Sequence, residues 1–333
     1  MKILKYISSP RELATTPSTK IVYEWEDELI KNTKLKLKVE KQSMFNFYSI
    51  IERIGCFDLY NRILSGKELR LRFIMTAKTK KECIINKNTI PVIIDYWLSD
   101  EEIDDFCKAY KYCPLILVTN REVYDLFLKK NVKLPFEHWP LSYPDKYKPT
   151  DKTFDKKFSF CLFGRPNPMF INYIEKYAEL HPDFEYVVSK GKDSNREFYT
   201  SKGEFICKDQ GRSTYLEMIK QTKITCYSTP GVDKSKGLKT KFNQVTPRLF
   251  EMLTNGCMVI GHYPNAADTI WYNLRKFIVN VDTYEEFECE MDRMLNSSID
   301  MTIVNEFMSN HYTSVRAKML IEICKKRNIN IEL

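Results

Sequence analysis

Apolar and polar positions alternate along the chain in two rhythms, a period of two in short runs and a period near 3.6 in longer ones. Strands and amphipathic helices are therefore interleaved nearly throughout. In the first half, strands are predicted near ILKYIS, KLKLKVE, LRLRFIMT, PVIIDYW, PLILVT and PFEHWPL, with helices near residues 20–32, 43–64, 100–110 and 120–130. KLKLKVE alternates strictly: Lys34, Lys36 and Lys38 share one face and Leu35, Leu37 and Val39 the other, as in a solvated face or an edge defended by lysines. After a stretch rich in Pro, Lys and Asp between Ser142 and Phe158, the alternation restarts with strand FSFCLFG, helix MFINYIEKYAELH and strand FEYVVSK. A polar stretch over 190–210 follows, then helix STYLEMIKQ, strand ITCYST and a loop over 229–245. Helix 247–255, strands CMVIG and KFIVNV, helix YEEFECEMDRML and closing helices through Lys326 complete the pattern.

This order is that of an α/β protein with mainly parallel sheets. A chain of 333 residues has room for two domains with cores of their own. The expected organisation is an N-terminal Rossmann-like domain over 1–145, a linker over 146–157 and a second Rossmann-like domain over 158–333. Two such domains facing across a cleft offer a common kind of ligand site.

Composition narrows the class. With 43% hydrophobic and 29% charged residues the chain is a folded protein, and no segment is long and apolar enough to span a bilayer. Charges interrupt MKILKYISSPREL before a signal-peptide core forms, so a cytoplasmic location is expected. The ten cysteines are scattered without a Cys-x-x-Cys pair, which implies reduced thiols and no structural zinc. Of the net charge of +8, residues 1–150 carry +6, with 26 Lys+Arg against 20 Asp+Glu. That excess attracts phosphates, nucleic acid or an anionic membrane, or reflects codon bias in a chain rich in Lys, Asn and Ile. The basic residues are dispersed and form no recognisable nucleic-acid module. Gly-x-Gly, a Walker loop and Gly-x-Ser-x-Gly are all missing, which removes the usual fingerprints of dinucleotide oxidoreductases, P-loop enzymes and α/β-hydrolases.

The richest stretch is TPRLFEMLTNGCMVIG, Thr246 to Gly261. Thr246 suits an N-cap, Pro247 the first helical position and Gly256 the C-terminal stop. Leu249, Phe250 and Leu253 form the apolar stripe, while Arg248, Glu251 and Asn255 fall on another face. A helix leading into a parallel strand starts at the carboxyl edge of the sheet, where ligands bind. Arg248 and Glu251 are thus either a surface ion pair or ligand groups. Arg165 in FGRPNP, Lys190 in SKGKD, and Lys236, Lys239 and Lys241 in the loop before the helix are placed at the same edge. Cations and a helix N-terminus suit a diphosphate, and a carboxylate beside them suits a ribose diol. Together they point to a sugar nucleotide.

On PRLFEMLTNGCMVIG, FGRPNP, YEEFECEMDRML and NHYTSVRAKMLIEI, the chain resembles GT-B glycosyltransferases of the group 1 type, in particular the spore-maturation and capsule branch. The resemblance covers roughly residues 155–326, and the first half matches in architecture alone. It implies the GT-B fold, ribose binding by Glu251, and diphosphate binding by Arg165 and Lys241. Larger retaining families carry two glutamates eight positions apart; here the first is Asn243, and the closing motif reads His-Tyr-Thr at 311–313. RLFEMLTNGCMVI is also similar to the exostosin signature, and fucosyltransferases carry a related helix.

The expected function is a glycosyltransferase moving a sugar from a nucleotide-sugar donor to a glycan or lipid-linked acceptor in surface polysaccharide or glycoconjugate synthesis. A noncatalytic sugar-nucleotide-binding protein of the same fold is the other reading. Donor binding is assigned to Arg165, Lys190, Lys241, Asn243, Thr246, Arg248 and Glu251. No Asp-x-Asp occurs, so neither a metal nor another cofactor is expected, and the basic first half allows peripheral contact with an anionic membrane. Asp95, ending strand VIIDYW with Tyr96 and Trp97 placed to stack on a sugar, is the candidate base or a helix cap. Glu137 and His138 follow as second choices. His311 and Arg316 reach the cleft if the closing helices pack back on the first domain, as is usual in this fold; otherwise they are a polar pair at a helix start. The aromatics Phe45, Phe47, Tyr48, Phe57 and Tyr60 read as core residues, or in part as an acceptor or membrane surface.

Overall fold

The computed structural model describes residues 2–14, 17–149, 154–164, 167–191, 196–232 and 242–332, with the backbone alone at Pro17 and Ser18. The chain begins with β1 (Lys2–Ser9), α1 (Pro17–Asn32), β2 (Lys36–Val39), α2 (Gln42–Arg53), α3 (Phe57–Ile63), β3 (Glu68–Thr76) and β4 (Thr89–Asp95). It continues through α4 (Ile103–Tyr110), β5 (Ile116–Val118), α5 (Arg121–Lys129), β6 (Phe136–His138) and β7 (Phe158–Phe160). Next come α6 (Pro168–Leu180), β8 (Val187–Lys190), β9 (Glu197–Thr200), β10 (Phe205–Lys208), α7 (Arg212–Gln221) and β11 (Thr222–Ser228). They lead to α8 (Pro247–Thr254), β12 (Met258–His262), α9 (Ala267–Trp271), α10 (Leu274–Phe277) and β13 (Val279–Asn280). α11 (Tyr284–Leu295), α12 (Met301–Met308), α13 (Thr313–Lys326) and β14 (Ile329–Ile331) complete the order.

Among the described residues the chain forms two compact units. The first runs to Asp145 and takes in Phe242 and the residues from His311 onward; the second holds those from Lys146 to 232 and from Asn243 to Asn310. No described helix is long and apolar enough to cross a membrane.

The first unit is built on a parallel sheet in the order β14-β1-β3-β4-β5-β6, with β2 beside β1. Strand alternation feeds two cores. Val92 and Ile94 of β4 pack with Trp25 and Leu29 of α1 and Leu320 and Ile323 of α13. Ile93, pointing the other way, packs with Phe106 of α4 and Val123 and Phe127 of α5. A strand covered on both faces reads as the continuous apolar run PVII. β2 pairs with β1 alone, and its Lys36 and Lys38 are exposed, so the lysine comb defends an edge. The helix expected over 43–64 is two helices. α2 ends at Arg53, and Gly55 (φ 70°) takes a left-handed turn that a continuous helix excludes.

The second unit holds a parallel sheet in the order β13-β12-β11-β7, covered on one face by α6 and α11. On α8 the residues from Leu249 to Thr254 are all buried. Gly256 (φ 73°) ends that helix, and a side chain there would collide with the Phe154 ring. Within the polar stretch expected over 190–210, β9 and β10 pair with each other and β9 pairs with β8, in the antiparallel sheet β10-β9-β8. In the stretch read as linker, Lys156 Nζ donates to the carbonyls of Lys220, Thr222 and Asn255 at 2.8–2.9 Å, holding the ends of α7 and α8. All ten cysteines are free thiols.

Candidate functional site

The carboxyl ends of β7 and β11 and the start of α8 meet at one edge of the second unit's parallel sheet. Carbonyls leaving strand ends have no ladder partner and need a donor. Arg248 supplies it: Nη1 donates to the Phe163 carbonyl at 3.0 Å and Nη2 to the Ser228 carbonyl at 3.4 Å. Its guanidinium lies 5.7 Å from the Tyr227 ring centroid. Gly164 (φ 75°) lets it pass, because a Cβ at that position would collide with Arg248 Nη1. Arg248 thus ties two strand ends together and does not pair with Glu251 by the i,i+3 surface bridge that spacing allows.

Glu251 is 5% exposed, and its Oε1 accepts from Arg212 Nη1 at 2.6 Å. Arg212 is the first residue of α7, follows Gly211 (φ 107°), and places its guanidinium 5.6 Å from the Tyr147 ring centroid. Burial and the Glu251 carboxylate push the Tyr215 phenol upward, against the charges of Arg248, Arg212 and Arg196.

The loop leading into α8 is fastened at both ends. Asn243, buried, accepts from Thr229 Oγ1 at 2.8 Å, and the Val245 amide donates to the buried Asp268 at 2.6 Å. Thr246 has the extended backbone of an N-cap, but its hydroxyl does not cap the helix. Instead its amide donates to Tyr227 Oη at 2.9 Å. Arg165, Lys236, Lys239 and Lys241 lie outside the described residues. Lys190 ends β8, exposed, with its ammonium 4.7 Å from the Tyr199 ring centroid on the antiparallel sheet. The structure brings Glu251, Arg248, Thr246 and Asn243 to one sheet edge, and Val187 at the start of Lys190's strand β8 bridges Cys161, just after β7, in parallel.

A carboxylate offers about four lone-pair sites and can accept from more than one donor. A helix start with two arginines near it, Arg248 on its first turn and Arg212 on Glu251, suits a bound phosphate.

No family model matches the sequence, and no curated protein matches it. Solved structures do. The N-terminal domain of Candida albicans trehalose-6-phosphate phosphatase aligns with a TM-score of 0.57 at 9% identity, over 97% of this chain and 96% of that one. AviGT4, a glycosyltransferase involved in avilamycin A biosynthesis, aligns at 0.51 with 10% identity, over 97% and 93%. A UDP-forming trehalose-phosphate synthase from Burkholderia xenovorans aligns at 0.50 with 8% identity, over 87% and 80%.

The chain has the GT-B fold. At these identities the likeness is one of fold. Within the first GT-B unit, Asp95 ends β4, half-buried, its carbonyl accepting from the Ala77 amide. Tyr96 is not placed to stack on a sugar: it is buried among Phe106, Phe127 and Phe242. Glu137 is held by Lys326 and Arg327 at 2.9 and 2.8 Å. Burial, with Arg121 and Arg316 nearby, pushes His138 down to about 3.

His311 and Arg316 are buried with α13 inside the first unit. Arg316 Nη2 meets His311 Nδ1 at 3.0 Å, and Arg316 Nε donates to the Pro140 carbonyl at 3.0 Å. Sequence reasoning missed Arg212. For Arg212 a signal existed in QGRSTYLEMI: a cation at a helix start opposes the helix dipole unless an acid answers it.

Proposed function

We propose that the chain is a glycosyltransferase that moves a sugar from a nucleotide-sugar donor to a glycan or lipid-linked acceptor in surface polysaccharide or glycoconjugate synthesis. The observation that carries this reading is Glu251, buried one turn into α8 and held by Arg212, in a helix that starts at the carboxyl edge of a parallel sheet in a chain of GT-B fold. In this reading Glu251 takes the ribose hydroxyls. The start of α8, Arg248 and Arg212, together with Arg165, Lys190 and Lys241, answer the charge that develops on the diphosphate as the glycosidic bond breaks. Asn243 and Thr246 hold the loop and helix start in place for it. Fixed cations can do this without a metal ion, so transfer should persist in EDTA.

Asp95 is the proposed general base for the acceptor hydroxyl. Asp95→Asn should lower transfer about 10²-fold or more while nucleotide binding persists; equal activity would return Asp95 to a structural role.

The donor site is tested by thermal shifts against UDP, GDP, CMP and ADP. One of these nucleotides should raise the melting temperature, and Glu251→Ala should weaken that binding about tenfold or more. No stabilisation by any of the four, at concentrations far above a micromolar affinity, would sink the reading. Turnover of a nucleotide sugar separates an enzyme from a noncatalytic binder.

A further inference from the structure

The helix pair α2–α3 turns one face into the first unit's core and leaves the other apolar face outward. Tyr48, Ile51 and Phe57 point in and are buried in the core beneath α4 and α5. Phe47, Ile50 and Ile54 follow the spacing i, i+3, i+7 and are 54%, 58% and 65% exposed. On α3, Leu59 and Ile63 follow i, i+4 and are 59% and 74% exposed. The Phe47 ring meets Tyr60 edge-on at 6.5 Å between centroids, which joins the two helices. Five of the thirteen exposed large apolar side chains among the described residues thus fall within one helix–turn–helix elbow, too many for scattered surface residues.

Cations rim this elbow. Arg53 adjoins Ile54 and Arg62 adjoins Ile63, both exposed, and Lys41 and Lys67 stand exposed at the two ends. Lys87 Nζ donates to the Arg62 carbonyl, adding a third charge at the end of α3. The acids are already engaged: Asp58 is held by both Lys81 and Lys111, and Glu52 accepts from the Cys83 amide. An apolar face with a basic rim fits headgroup-level insertion into an anionic bilayer. It fits a second copy of itself poorly, because a two-fold contact would bring two copies of the same basic rim together.

We propose that the α2–α3 elbow docks the protein on an anionic membrane surface, with Phe47, Ile50, Ile54, Leu59 and Ile63 at headgroup depth and Arg53, Arg62 and Lys67 on lipid phosphates. The proposal uses the first unit alone and stands apart from the nucleotide reading.

The test is flotation of the full chain with vesicles of phosphatidylcholine alone or mixed with phosphatidylglycerol. Recovery is expected with the anionic vesicles, falling as salt rises. Ile50→Glu with Ile54→Glu should lower it about tenfold or more, as should Arg53→Glu with Arg62→Glu. Leu128→Glu, the same change at an exposed site on α5, should leave recovery as it is. Thermal melts show which variants fold, and Ile50→Ser with Ile54→Ser replaces a glutamate pair that does not. The proposal falls if the unmodified chain ignores anionic vesicles at low salt or if the elbow variants float as it does. It also falls if those variants split a dimer in light scattering while vesicle recovery stays unchanged, which assigns the face to a second copy.

Discussion

Arg248 and Glu251 sit three positions apart on one helix, the spacing of a surface ion pair worth a few tenths of a kcal/mol. Their environments separate them. Arg248 stands where the carbonyls of Phe163 and Ser228 leave their strands, and it answers both. Glu251, one turn deeper and buried, is answered by Arg212 from α7. A buried pair is costly to break on one side only, since the survivor keeps its desolvation penalty. Arg212→Met is expected to destabilise the chain by about 3 kcal/mol, and adding Glu251→Gln should recover most of that loss; urea unfolding of the two singles and the double checks both. Helix, cap position and sheet edge were legible in the order of residues around Pro247. The partner of Glu251 was not, because Arg212 lies on another helix and only folding brings it near.

At the scale of elements, period-two and period-3.6 patterns located most of the strands and helices; α9, α10 and β14 went unread, and two further misses have local causes. Gly55 hides inside an apolar pattern that reads as one helix, and its left-handed backbone makes two. In the hairpin of β9 and β10, Phe198 points inward while Phe205 is exposed, too little alternation to stand out from a polar stretch. Lys156 falls in the stretch read as a linker. In the fold it caps carbonyls from two helix ends, and burial pulls its ammonium below the ordinary lysine value. Lys156→Met keeps the stem but leaves those three carbonyls without their shared donor, an expected loss of about 2 kcal/mol. Denaturant melts of the variant against the parent measure it.

For the whole molecule, two buried histidines set the response to acid. His311 Nδ1 faces a guanidinium, which can only donate, so that nitrogen carries no proton. Burial, reinforced by nearby arginines, pushes both His138 and His311 down to about 3, against about 6.5 in an unfolded chain. Between those values the unfolded chain binds protons that the native state refuses, so their contribution is complete above about pH 6.5 and is lost as pH falls toward 3. Glu26, raised to about 6 by burial despite its bridge to Arg11, acts in the opposite sense between 4.5 and 6 and offsets part of the loss. Stability should drop by about 2–3 kcal/mol from pH 7 to pH 5, and replacing either histidine with Gln should flatten the profile, as read by calorimetry across that range.

The return of the chain to the first unit also orders its birth on the ribosome. β1 takes β14 as a neighbour, Lys2 against Ile329, and Trp25 and Leu29 are covered by residues of α13. These partners are translated only after every residue of the second unit. The part made first therefore waits with an open sheet edge and bare indole and leucine surface, while the part made second has all its pieces at hand and is free to close. In this protein the order of synthesis and the order of completion run in opposite directions.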